Sequence, residues 1–223
     1  MVKLTVSIGN DDPEQSLAVT YARPAHRAAL TALLMLDRRL GEIVRATREP
    51  IVGQMRLTWW HDALGALDNA VPPAEPILQS LASDVVGPVR GAALATMIEG
   101  WEVLLDPELD PDARQTHATK RGGTLFAAMA RIVGVGDPAI ERAGEGWALA
   151  DLTRGLIDVT ASQTTASEAR DRLNAVAAYR WPTTARALGA LALSARMDLA
   201  PNAQPHGHPA RVARLLWLRM SGR

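Results

Sequence analysis

Cysteine is absent from the 223 residues. That excludes a disulfide framework, thiol catalysis and thiolate-ligated metals, and it fits a reducing compartment. Net charge is absent too: 24 lysines and arginines cancel 24 aspartates and glutamates, which argues against a nucleic-acid binder held by bulk electrostatics. The longest nearly apolar run, Ala28 to Leu36, has nine residues, whereas a spanning helix needs about 20. Met1 to Asn10 lacks a long apolar stretch, and Asp11-Asp12-Pro13-Glu14 follows at once, so no secretory signal is visible. The expected location is cytoplasmic, at most peripheral to the inner face of a membrane. A Gly-rich phosphate loop and a Gly-x-Ser-x-Gly elbow are also missing. Of the five histidines only His206 and His208 lie close together. They sit in a proline-flanked stretch without a third ligand nearby, which reads as a solvated loop rather than a metal site.

What is present is ordinary globular material, 48% hydrophobic and 22% charged, long enough to bury a sizeable core. Glycine and proline cut the chain into segments of helical length, with apolar spacings of 3 and 4 rather than 2. Pro24 to Ala46 carries Leu33, Leu36, Leu40 and Ile43 as one stripe, and Pro24 suits a first helical turn. Further helices are expected at 52–67, 89–105, 112–133, from 138 to about 160, 169–197 with Pro182 as a kink or break, and 208–220. Loops are expected at 71–76 and 201–209, and 161–167 turns polar and small where the fifth helix is expected to end. Leu4, Val6 and Ile8 alternate like a strand, but one short strand has no partner. The expected fold is an all-α helical bundle around a central space, a single domain over 1–223 with a loose segment at 1–14.

Two charged stripes and one aromatic block stand out. Arg38, Glu42, Arg45 and Glu49 follow at spacings of 4, 3 and 4, and Asp151, Arg154 and Asp158 form a similar series. Each reads as a salt-bridged face or groove wall rather than an acid/base pair. In Gln54-Met55-Arg56-Leu57-Thr58-Trp59-Trp60-His61-Asp62, adjacent tryptophans point about 100° apart, so both are buried only if the helix is covered on two sides. Arg56 and Trp60 share a face and are placed to stack. The bland reading is a pair of core anchors; the sharper one puts Arg56 beside a bound anion.

These blocks resemble the squalene/phytoene synthase family of head-to-head isoprenyl condensing enzymes. Pro24 to Leu36 looks like that family's opening helix, and Arg56-Leu57-Thr58-Trp59-Trp60 like its Arg-Leu-x-Trp-Trp block. Weaker similarity runs through Ile98-Glu99-Gly100, His117 to Phe126 and Leu152 to Val159. The resemblance implies an isoprenoid-synthase-type bundle whose cavity holds prenyl chains, with two Asp-x-x-x-Asp motifs gathering Mg²⁺ to assist diphosphate departure. It places the first motif's aspartates at Gly41 and Arg45, with Glu42 the acid retained between them. At the second motif Asp158 stands at the first aspartate, Ser162 at the second, and Ile157 replaces the arginine before it. The family's Gly-Arg-x-Tyr-Leu-Pro loop is missing between Val159 and Ala177.

A branch of the family, the complex I assembly factor and its bacterial relatives, keeps the tryptophan block and lacks the acidic motifs. Glu49-Pro50-Ile51-Val52-Gly53-Gln54-Met55-Arg56 looks more like that branch than like the synthases. The leading expectation is a non-catalytic protein, with no catalytic residue and no cofactor, that binds a prenyl chain, another isoprenoid lipid or a protein partner. Its candidate binding residues are Arg27, Glu42, Arg56, Trp60 and Asp158. One alternative is an active prenyltransferase that holds Mg²⁺ in a rearranged site built from Glu42, Asp158, Asp151 and Asp37. The other is an unrelated helical scaffold whose tryptophan pair is only core.

Overall fold

The computed structural model describes residues 12–106 and 108–223. The alternating Leu4, Val6 and Ile8 lie outside the described residues. Among those described, the elements are helices with no named strand, as expected for an all-α isoprenoid-synthase-type bundle. No helix among them is long and apolar enough to cross a membrane.

Proline sets the punctuation. Helices α1 (Pro13–Thr20), α2 (Pro24–Ala46), α3 (Pro50–Ala66) and α4 (Pro76–Asp84) each carry proline in the first turn. There its fixed φ is preorganised and its missing N–H has no intrahelical partner to lose. Short α5 (Gly91–Ala95) and α6 (Met97–Glu102) follow, then α7 (Pro111–Thr116). The chain continues through a π-helical stretch, His117–Gly123, into α8 (Thr124–Val133). The second half holds α9 (Pro138–Gly155), α10 (Val159–Ala175), α11 (Arg186–Asp198) and α12 (Pro209–Ser221).

The Leu33/Leu36/Leu40 stripe of α2 is fully buried, against α4, α6 and α8. On the other side α9 lies between the π stretch, α10 and α11. The crossing of α9 on the π stretch is backbone on backbone, since a Cβ on Gly122 would strike the Gly144 carbonyl. Gly144 likewise lets the two helices touch, since a Cβ there would strike the Gly122 carbonyl. Leu33, Leu40, Phe126, Leu149 and Trp101 are each 2% exposed or less, so no water-sized void opens beside them. Among the described residues, these side chains belong to one continuous hydrophobic cluster.

Several sequence expectations need correction. The polar stretch 161–167 is helical, because Asp158 ends the extended Leu156–Asp158 link and caps α10, its carboxylate accepting from Ala161 N at 2.7 Å. Thr164 and Thr165 then bond the carbonyls of Thr160 and Ala161, so small polar residues are tolerated inside the helix. The expected 138–160 helix stops at Gly155 and the 89–105 helix is interrupted at Thr96, whereas the break expected at Pro182 is present, between Ala175 and Thr183. Helices α1 and α4, of eight and nine residues, were not expected at all. At the N-terminus, Asp12 caps α1 and Glu14 is buried, so the described end of the supposed loose segment is anchored.

Candidate functional site

The centre of the bundle is held by a buried cation. Arg121, 2% exposed, projects from the π stretch between α2 and α9. Its Nε donates to Asp37 Oδ1 at 2.8 Å and its Nη2 to Asp37 Oδ2 at 2.9 Å. The same Nη2 donates to Asp151 Oδ2 at 2.7 Å. The guanidinium lies 4.1 Å from the Trp101 ring centre and 4.9 Å from that of Trp147. Fork geometry against one carboxylate, a second carboxylate and two aromatic faces together satisfy a charge that burial alone would make costly.

A fourth contact fixes a tautomer. Arg121 Nη1 donates to His117 Nε2 at 3.2 Å, so His117 carries its proton on Nδ1 and donates to the Gly100 carbonyl at 2.6 Å. Complete burial, reinforced by the Arg121 charge, pushes the His117 pKa down to about 3, and the ring stays neutral. Burial would raise the Asp151 carboxyl, but Arg121 and Arg154 overcome it and hold it well below the usual carboxylate range. Arg154 bridges Asp151 at 2.7 Å and Asp198 at 3.0 Å. The alternating charges continue through Arg211, which meets Asp198 at 2.7 Å and the buried Glu14 at 2.6 Å.

The positions that the resemblance assigns to the first pair of metal ligands are occupied otherwise. Gly41 faces the centre one turn after Asp37, and a Cβ there would lie 2.7 Å from both Trp101 Cη2 and Arg45 Nη2. Arg45 has turned inward, 5.8 Å from the Trp101 ring centre, and burial depresses its pKa. Hard oxygen donors are what Mg²⁺ needs. Here Asp37 and Asp151 share one arginine, and among the described residues no three His, Cys, Asp or Glu side chains converge as a metal site. The residues present do not fit the family's metal cluster.

The sequence-predicted residues divide among three places. Glu42, Arg56 and Trp60 line a groove of about 680 Å³ between α2 and α3, together with Arg39, Trp59 and Glu75. Glu42 faces away from the centre and pairs with Arg38 at 3.2 Å and Arg39 at 3.5 Å. Trp60 is buried, whereas Trp59, edge-on to it at 5.4 Å, is 48% exposed; α3 is covered on one side only. Arg56 shares the groove with Trp60, but among the described residues the arginine–tryptophan stacks run from Arg45 and Arg121. Arg27 lies apart, its guanidinium bonding the carbonyls of Ala22 and Thr20 where α1 turns into α2. Asp158 is a helix cap. His206 bridges Asp12 and Asp198, and His208 caps α12.

Sequence reasoning missed Arg121, His117, Trp101 and Trp147 as partners, and gave Asp37 only a minor role. One signal was available: Asp37 follows Leu33 by four residues and precedes Gly41 by four, so it lies on the core-facing stripe, where an acid requires a cation.

The squalene/phytoene synthase family model matches residues 9–161. That is well over half of the chain, which therefore belongs to this family. No curated protein and no solved structure gives a significant match. The match ends before Ser162, so the second half of the second motif lies beyond it.

Proposed function

We propose that this chain is a non-catalytic member of the squalene/phytoene synthase family, of the assembly-factor-like kind, which uses the inherited bundle to bind a partner protein rather than to ionise a prenyl diphosphate. The observation that carries this reading is Arg121, clamped by Asp37 and Asp151 between two tryptophans where the resemblance expects a cavity mouth. A fixed guanidinium supplies one positive charge and no open coordination position. It cannot gather the several cations that neutralise a departing diphosphate.

The face of α3 is open to a partner. Ile51, Met55 and Trp59, spaced by four, are 62%, 68% and 48% exposed, and the Arg39/Arg56 groove runs beside them. An apolar ridge next to paired charges of both signs suits a helical partner segment with its own mixed-charge flank. Glu49 to Arg56, the run resembling the assembly-factor branch, forms the start of this same helix.

The test is incubation of the purified protein with farnesyl or geranylgeranyl diphosphate and Mg²⁺, with diphosphate release as the readout. Release no faster than in buffer is expected. Turnover that Asp151→Asn or Asp158→Ala abolishes would overturn the reading in favour of a rearranged prenyltransferase site.

A further inference from the structure

The strongest unassigned feature lies wholly outside the family-matched segment. Helix α12 buries Arg211, Leu215 and Leu218. Its outward side carries Leu216, Trp217 and Met220, which are 43%, 62% and 74% exposed. At about 100° per residue these three and Ala213 fall within one sector roughly 100° wide, with Arg214 beyond one edge and Arg219 beyond the other. An exposed apolar strip flanked by cations is how a helix lies in a lipid–water interface, with tryptophan at the boundary.

A groove of about 470 Å³ opens on the Arg214 side, between α12, α11 and the end of α10. Leu173, Val176, Leu193 and Leu218 give it an apolar floor, and Arg196, Arg214 and Arg223 stand around it without an acidic residue in the lining. The buried arginines of the ion-pair network, Arg114, Arg121 and Arg211, are spent on carboxylates. Among the described residues none of the three at the groove is ion-paired with a carboxylate. A soluble anion would use only those charges and leave the exposed tryptophan strip in water. An anionic phospholipid in a bilayer uses both at once.

We propose that α12 and this groove form a membrane-docking face that takes an anionic phospholipid, its phosphate among Arg196, Arg214 and Arg223 and its acyl chain along the apolar floor. The attraction should grow with the negative charge of the surface and weaken with salt. Each arginine near such a surface strengthens binding about fivefold.

The experiment is co-sedimentation of the whole chain with vesicles of phosphatidylcholine alone or phosphatidylcholine mixed with phosphatidylglycerol, at low and high salt. Binding to the mixed vesicles, lost at high salt, is expected. Arg196→Gln with Arg214→Gln should weaken it about 25-fold, and Trp217→Ala with Met220→Ala should also weaken it. All four side chains are exposed, so unchanged melting temperatures will show that the fold is intact. Equal binding to neutral vesicles, no binding to either, or indifference to the arginine pair would overturn the proposal. Displacement by soluble glycerol phosphate would also overturn it, because a free-anion site does not need the bilayer.

Discussion

Replacing Arg121 by methionine tests how the centre is built. The substitution keeps the length of the aliphatic stem but removes the cation, so Asp37, 5% exposed, loses its bidentate partner. Asp151 keeps Arg154 at 2.7 Å and is harmed less. Breaking a buried pair by deleting one member costs about 3–5 kcal/mol, against a total stability on the order of 5–15 kcal/mol. At roughly 2–4 °C per kcal/mol for a chain of this size, the melting temperature should fall by roughly 6–20 °C. Adding Asp37→Leu removes the stranded charge, so the double variant should be more stable than the sum of the two single losses predicts. Urea titrations of the four proteins give the coupling energy directly. A single-variant loss below about 1 kcal/mol, the range of an exposed pair, or strict additivity in the cycle, would refute the claim that this ion pair is a buried, interdependent unit.

Other consequences follow from the same geometry. Gly41→Asp, which restores a family ligand on paper, should lower stability by about 1–3 kcal/mol, because its Cβ meets the immobile Trp101 ring; calorimetric titration with Mg²⁺ and pyrophosphate should show no binding. Trp60→Ala should cost about 3–5 kcal/mol, whereas Trp59→Ala should stay within about 1 kcal/mol, as read from thermal melts. Stability should fall on acidification through two groups. His117, held to about 3 in the fold against an ordinary 6.5, takes up its proton only in the unfolded chain between those values. Glu14 behaves alike between an ordinary 4.5 and about 2, where burial opposes but hydrogen bonds from Arg211 and Ser194 prevail. In each window the unfolded state binds more protons, so stability is lost as pH drops, by up to about 1.4 kcal/mol per pH unit per group. Denaturation midpoints of His117→Gln should show a shallower decline than the parent between about pH 4 and 6.

How much could be read in advance follows a physical divide. Helix α2 was legible to the residue because its stripe is strong and a proline opens it. The Arg56–Trp60 block was legible as two residues on one helix face, but the pair of core anchors was not, since α3 is covered on one side and leaves Trp59 exposed. The polar stretch of α10 was not legible: its helix is decided by the Asp158 cap and by packing on α9, which override weak local propensity. The centre was missed because its members come from α2, the π stretch and α9, and ion pairs across such distances leave no spacing in the sequence. Only the isolated acid Asp37 on an apolar stripe hinted at them. Asp158, read as a remnant of a metal motif, turned out to hold a helix end.

The most direct test of the central claim is anomalous diffraction from crystals soaked in Mn²⁺ and pyrophosphate. If a fixed arginine has taken the place of the metal cluster, Asp37 and Asp151 will remain bonded to Arg121 and no manganese peak will lie within coordinating distance of either. A cluster of manganese ions bridging those two carboxylates, with Arg121 swung aside, would contradict it.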